Sequence, residues 1–183
     1  MPDSIFSVAQ ETVVITGVSG QLGSQYANAF LKGNARVVGL DLTASPCVAA
    51  LASQFEGRFA FCSCDVTQAG SLQNALLMTR QLFGAPTVLI NNAAIDSPPN
   101  APIEETGPFE EYPDASWDRI MDVNVKGVYL ASKVFGAAMA ANRRGSIVNV
   151  SSIYGVVSPD QSIYEYRRQR GEVFYKPAAY AVS

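Results

Sequence analysis

Residues 12–23 read Thr12-Val13-Val14-Ile15-Thr16-Gly17-Val18-Ser19-Gly20-Gln21-Leu22-Gly23. The first five are all β-branched, a run that suits a strand buried on both faces. Three glycines in the next seven positions end that strand in a tight turn. Leu22, Tyr26, Ala29 and Phe30 then share one face at helical spacing, and Gly33-Asn34 supplies a stop. Strand, glycine turn and helix in this order let the backbone come close to a ligand, with unpaired N–H groups at the helix head facing an anion.

Working outward, apolar β-branched runs alternate with amphipathic stretches, the pattern of a parallel sheet covered by helices. Arg36 to Leu40 predicts a second strand, Arg58 to Cys62 a third, Thr87 to Asn91 a fourth and Ser146 to Val150 a fifth. Helices are predicted from Ser71 to Phe83, with Leu72, Leu76 and Phe83 on one side, and from about Ser116 to Ala141. No internal repeat or low-complexity tract interrupts the pattern, and the whole chain, 1–183, reads as one domain. Two connections, 96–115 and 156–179, exceed the usual length of about 2–6 residues. Both follow strand C-terminal ends, the edge where open α/β sheets bind ligands. They read as walls of a substrate pocket or as surface excursions.

Asp41 ends the second strand, about 20 residues beyond the glycine turn. A carboxylate there accepts hydrogen bonds from the adenosine ribose hydroxyls of a dinucleotide and repels a 2′-phosphate. No lysine or arginine directly follows it. The pair of features predicts NAD rather than NADP, with a capping aspartate as the bland alternative.

Composition sets limits on the chemistry. Of 183 residues, 48% are hydrophobic and 16% charged, enough for a sizeable core. A net charge of −3 provides no basic stripe, so nucleic acid is not an expected partner. No apolar run reaches membrane-spanning length, and Met1 to Gln10 lacks a signal pattern, so a cytoplasmic protein without a membrane partner is expected. The absence of histidine excludes a Ser-His-Asp triad or a histidine zinc site within this chain. Cys62-Ser63-Cys64, placed in a buried strand, reads as reduced thiols acting as small hydrophobes, and no metal site is expected.

Together the motifs resemble the short-chain dehydrogenase/reductase family, whose glycine loop reads Thr-Gly-x-x-x-Gly-x-Gly. Thr16, Gly17 and Gly23 match it, while the middle glycine falls on Gln21, with Gly20 one place earlier. The resemblance implies a Rossmann-type doubly wound sheet of strand order 3-2-1-4-5, lacking the family's last strands, so that 1–183 is a single incomplete NAD-binding domain. It also implies cofactor contacts from Gly17, Ser19, Gln21, Leu22 and Gly23, and from Asp65 and Val66, which are similar to the family's Asp-Val pair at the adenine. Asn92, Ala93 and Ala94, in Asn91-Asn92-Ala93-Ala94, are similar to the motif that floors the cofactor site.

The same resemblance assigns a redox centre. Asn124 matches the helix asparagine whose carbonyl holds a water in the proton relay, and Ser152 matches the serine that hydrogen-bonds the substrate oxygen. Tyr180, in Tyr180-Ala181-Val182-Ser183, looks like the start of Tyr-Ala-x-Ser-Lys, the chain ending where the lysine would stand. Tyr164, Tyr166 and Tyr175 are the rivals; four residues beyond them stand Arg168, Arg170 and Ala179. With Tyr180 as the base, Gln161 to Lys176 becomes an insertion. The implied reaction interconverts a secondary alcohol and a ketone on a small polar substrate. A homodimer or homotetramer is implied for the full-length form. Ser152 to Gln161 and Lys176 to Tyr180 are further similar to a branch associated with nonulosonic acid and flagellin-glycan biosynthesis, which implies an amino-sugar or nucleotide-sugar substrate, with Arg167, Arg168 and Arg170 meeting a phosphate. A 3-oxoacyl-type ketoreductase and a nucleotide-binding module without turnover are the alternatives.

Overall fold

The computed structural model describes residues 6–96 and 103–183. Five parallel strands form one sheet in the order β3-β2-β1-β4-β5. They are β1 (Thr12–Thr16), β2 (Arg36–Asp41), β3 (Phe59–Ser63), β4 (Val88–Asn91) and β5 (Ser146–Asn149). The helices are α1 (Gln21–Lys32), α2 (Pro46–Gln54), α3 (Ala69–Phe83), α4 (Asp114–Met121), α5 (Gly127–Ala141), α6 (Glu165–Arg168) and α7 (Ala178–Val182). This is the Rossmann-type order the motifs predict. Among the described residues no helix is long and apolar enough to cross a membrane. The opening residues 1–5 and the proline-rich stretch 97–102 lie outside the described residues.

The chain divides into two compact units, Met1–Ala93 with Gly127–Val150, and Ala94–Lys126 with Ser151–Ser183. The first contains the sheet. Val13, Ile15, Val37 and Ile90 join Ala27 and Leu31 of α1 and Val48 and Leu51 of α2 in one buried cluster. By the alternation of the pleat, Val14, Val38 and Leu89 face the other way. There Leu72 and Ala75 of α3 and Ala131 and Phe135 of α5 are also buried, and the two helices pack on each other. Burying each such aliphatic side chain contributes roughly 1.5–3 kcal/mol, so β1, buried at every position, is the anchor of the unit.

Several boundaries differ from expectation, each for a physical reason. The buried face of α1 is Gly23, Ala27 and Leu31, because small residues let the helix approach the sheet. Tyr26 and Phe30 pack at the core margin, and Leu22, 50% exposed, and Ala29 face outward. α2 is not signalled by periodicity; its mark is Ser45-Pro46, where the serine hydroxyl accepts the Val48 N–H at 3.4 Å and proline opens the first turn. The expected long helix from 116 to 141 is instead α4, a π-helical turn over Asp122–Lys126, and α5. At the sheet's margins β3 and β5 have one strand neighbour each, and all four residues of β5 are exposed.

The cysteine reading changes accordingly. Only Phe59 of β3 is buried; Cys62 is half-buried, Ser63 is exposed, and Cys64 beyond the strand end is buried. Burial pushes the Cys62 and Cys64 thiols above the usual thiol range, with a hydrogen bond to Ser71 pulling Cys64 part of the way back. Because the thiolate is the reactive form, a raised pKa slows alkylation. Iodoacetamide at neutral pH should therefore modify exposed Cys47 well before Cys64, an order that peptide mass spectrometry after timed quenching would check.

Candidate functional site

In the first unit the glycine turn is built by contact. Gly17 has φ +69°, and a Cβ there would stand 2.8 Å from the Ala93 Cα. At Gly23 a Cβ would lie 2.2 Å from the Gly17 carbonyl oxygen, so neither position accepts a side chain. Gly20 caps α1 without a side chain, and the first turn has no acidic residue. The helix head formed by Gln21, Leu22 and Gly23 is thus left uncapped by any side chain, the electrostatic setting that suits a pyrophosphate. Gln21, where the family pattern carries glycine, is exposed and starts the helix, so its side chain is accommodated.

The strand ends brace this turn. The Thr16 hydroxyl accepts the N–H groups of Asn92 and Ala93, both at 3.0 Å. In return the Asn92 side-chain amide donates to the carbonyls of Thr16 at 3.0 Å and Gly17 at 3.1 Å. Asn92 therefore staples the glycine turn to the exit of β4. Beside it, buried Asn91 donates to Asn149 Oδ1 at 2.8 Å and to Ser132 Oγ at 3.0 Å, tying β4 to β5 and α5.

At the end of β2, Asp41 Oδ2 accepts the Ser19 N–H at 2.9 Å and Oδ1 accepts the Leu42 N–H at 2.8 Å. Two amides fix the carboxylate beside the glycine turn, and its remaining lone pairs can still accept ribose hydroxyls. Ser19 completes the corner: its hydroxyl donates to the Thr43 carbonyl at 2.6 Å and accepts the Ser45 N–H at 3.2 Å. Asp65 closes its own turn, with Oδ1 accepting the Thr67 N–H and hydroxyl at 2.9 and 2.7 Å, while Val66 is buried.

The second unit holds Ala94, Asn124, Ser152 and Tyr180. Asn124 sits mid-way in the π-helical turn, a feature frequent at functional sites. Its side-chain amide pairs with both backbone groups of Ile95, accepting the N–H at 2.8 Å and donating to the carbonyl at 3.0 Å. It also donates to Ser183 Oγ at 2.9 Å, and that hydroxyl donates to the Tyr180 carbonyl. Exposed Ala94 precedes this pairing. Ser152 is half-buried and caps the turn Ile153–Gly155, accepting the Tyr154 N–H at 3.2 Å, whereas Ser151 is exposed. That turn packs against α7, which carries Tyr180.

Residues 161–176 fold on themselves. Gln161 closes the loop: its backbone carbonyl accepts Arg168 at 2.8 Å and its side-chain oxygen accepts the Lys176 N–H at 3.0 Å. Arg167 pairs with Glu172 and lies 4.0 Å from the centroid of Phe174, whose ring packs on Tyr164. Arg168 pairs with Glu165, and Arg170 lies over the Tyr166 ring at 5.6 Å. The arginines therefore hold the loop together. A hollow of about 300 Å³ lined by Phe109, Tyr112, Tyr175, Ala181 and Val182 lies in the same unit. Sequence reasoning missed Thr16 as a hub and the Lys176–Asp96 ion pair, neither of which has a local signature in the sequence.

Comparison with known proteins agrees with this geometry. The sequence model for short chain dehydrogenases matches residues 11–165, which includes Ser152 and stops before Tyr180. The chain is 35% identical over 158 residues to 2-(S)-hydroxypropyl-CoM dehydrogenase 3 of Xanthobacter autotrophicus, covering 84% of this chain and 58% of that protein. It is 26% identical over 162 residues to an NAD-dependent glycerol dehydrogenase of Listeria innocua, covering 88% of this chain and 60% of that one. The chain thus spans about three-fifths of the length of these relatives. Its fold matches a crystal structure of NAD+-bound xylitol dehydrogenase with a TM-score of 0.76 at 21% identity, over 94% of this chain and 59% of that one. With the glycine turn, the strand order and the family match in agreement, the chain belongs to the short chain dehydrogenase family.

Proposed function

We propose that the protein is an NAD-dependent oxidoreductase interconverting a secondary alcohol and a ketone on a small polar substrate. The observation that carries this is the uncapped head of α1 beside an aspartate fixed at the end of β2. The names of the relatives, which include an NAD-dependent glycerol dehydrogenase, support both the cofactor and a hydroxyl-bearing substrate. Bound NAD+ would supply the hydride acceptor. The N–H groups of Gln21, Leu22 and Gly23 hold the pyrophosphate, with Gly17 and Ser19 shaping the turn, and Asp41 accepts the ribose hydroxyls. Asp65 and Val66 take the adenine end, and Asn92, Ala93 and Ala94 floor the site.

In the same proposal Ser152 donates a hydrogen bond to the substrate oxygen. During oxidation the hydroxyl proton passes to Tyr180 as the hydride leaves the carbon, and in reduction Tyr180 returns it. The Asn124 carbonyl holds a water of the relay, and its side chain, occupied by Ile95, keeps the π-helical turn in place. The full-length protein would act in the cytoplasm as a homodimer or homotetramer. An amino-sugar or nucleotide-sugar substrate falls within this proposal; Arg167 and Arg168 pair with Glu172 and Glu165, so the proposal gives them a part in holding the loop and assigns them no phosphate.

Two measurements test the reading. Calorimetry should show NAD+ binding more tightly than NADP+, and Asp41→Ser should shrink that preference on the order of tenfold by removing one like charge at a partly exposed site. Absence of heat with both nucleotides would sink the assignment. In the full-length protein, Tyr180→Phe should abolish alcohol oxidation while leaving the NAD+ dissociation constant nearly unchanged; retained turnover would remove Tyr180 from the mechanism.

A further inference from the structure

Lys176 is the last residue of the closed loop, and three contacts fix it. Its N–H is held by Gln161 at 3.0 Å, its ammonium pairs with Asp96, and the same ammonium lies 4.8 Å from the centroid of the Tyr180 ring. The side chain is only 14% exposed, so the charge has given up most of its water for these partners. Pro177 follows as the residue preceding α7, which restrains Lys176 to extended backbone and sets where Tyr180 begins its helical turn. A lysine ammonium over an aromatic face is attracted to it, more strongly when desolvated. The attraction grows when the ring gains negative charge.

We propose that Lys176 is a positioning residue for Tyr180: the 161–176 loop delivers a cation to the face of that ring, orienting it and offsetting the negative charge the ring carries when its proton is away. Asp96 aims the ammonium and partly balances it. This rests on the reading of Tyr180 as the proton carrier, and it extends that reading to the loop, whose function becomes the placement of one charge. Electrostatic stabilisation by a fixed, partly desolvated group is effective because no reorganisation is needed during the reaction.

The test uses the whole chain with fluorotyrosine incorporated, the Tyr180 fluorine signal being assigned by its loss in Tyr180→Phe. Lys176→Met and the exchanged pair Asp96→Lys with Lys176→Asp are compared with Lys176→Arg. The exchanged pair keeps an ion pair between loop and neighbour but puts an anion at the ring. The Tyr180 signal should shift in Lys176→Met and in the exchanged pair and stay near its original position in Lys176→Arg. In the full-length protein, kcat for NAD-linked oxidation of a polyol such as glycerol or xylitol should fall roughly three- to thirty-fold in Lys176→Met, the range expected of a cation–π contact, with KM for NAD+ unchanged. An exchanged pair that restores both signal and kcat would overturn the proposal, since a simple clamp would then suffice. Turnover surviving Tyr180→Phe would sink the proton-carrier reading instead, while the fluorine signals would still decide whether Lys176 sets the ring.

Discussion

Thr16 is the last residue of a strand with no exposed position, and its hydroxyl holds two N–H groups of the chain leaving β4. A buried strand end leaves backbone groups that water cannot reach, so something local must pair with them. Thr16 and Asn92 do this for each other, and that closure brings the β4 exit so near the glycine turn that Gly17 has room for no Cβ. The same closeness forces Gly23 against the Gly17 carbonyl and so fixes where α1 starts. The uncapped helix head is therefore a consequence of how two parallel strands end.

The second unit solves a similar problem with one side chain. The segment following β4 is irregular at Ile95, and its backbone groups are paired by the Asn124 amide as a neighbouring strand would pair them. Both the donor and the acceptor of the amide are used, which accounts for asparagine in a helix where it is otherwise mildly unfavourable. The π-helical turn gives Asn124 a backbone setting that an unbroken α-helix would not have. Ser183 extends this network to the Tyr180 carbonyl.

How much of this is legible in the sequence follows from the range of the forces involved. β1, the glycine turn and Asp41 are read from local spacing, because strand burial, turn geometry and the strand-end position are all set within a few residues. The α1 face is misplaced by one residue because hydrophobicity favours Leu22 and Tyr26, whereas close packing against the sheet selects Gly23 and Ala27. α2 escapes periodicity and shows only in its cap. The break over Asp122–Lys126 leaves no compositional mark. Thr16 with Asn92, Asn124 with Ile95 and Lys176 with Asp96 are separated by 76, 29 and 80 positions, respectively, and such long-range pairs have no local signature.

The rival tyrosines can be weighed on the same physical grounds. Tyr164 packs on Phe174, and burial, followed by its hydrogen bond with Tyr154, pushes its hydroxyl above the usual tyrosine range. A raised pKa leaves less phenolate at neutral pH, so that environment works against a base. Tyr166 is exposed, with Arg170 over its ring, and Tyr175 has its N–H committed to the Thr106 carbonyl at 2.7 Å and Arg168 near its ring. Both rings meet guanidinium groups, and that of Arg168 is already engaged in holding the loop. Tyr180 stands on a helix that packs against the turn capped by Ser152, while Tyr164 reaches the same turn through its hydrogen bond with Tyr154. In the proposed reading a proton carrier must reach an oxygen held by Ser152, and the seating of α7 on that turn, without the burial that raises the Tyr164 hydroxyl, is the ground on which Tyr180 is proposed over its rivals.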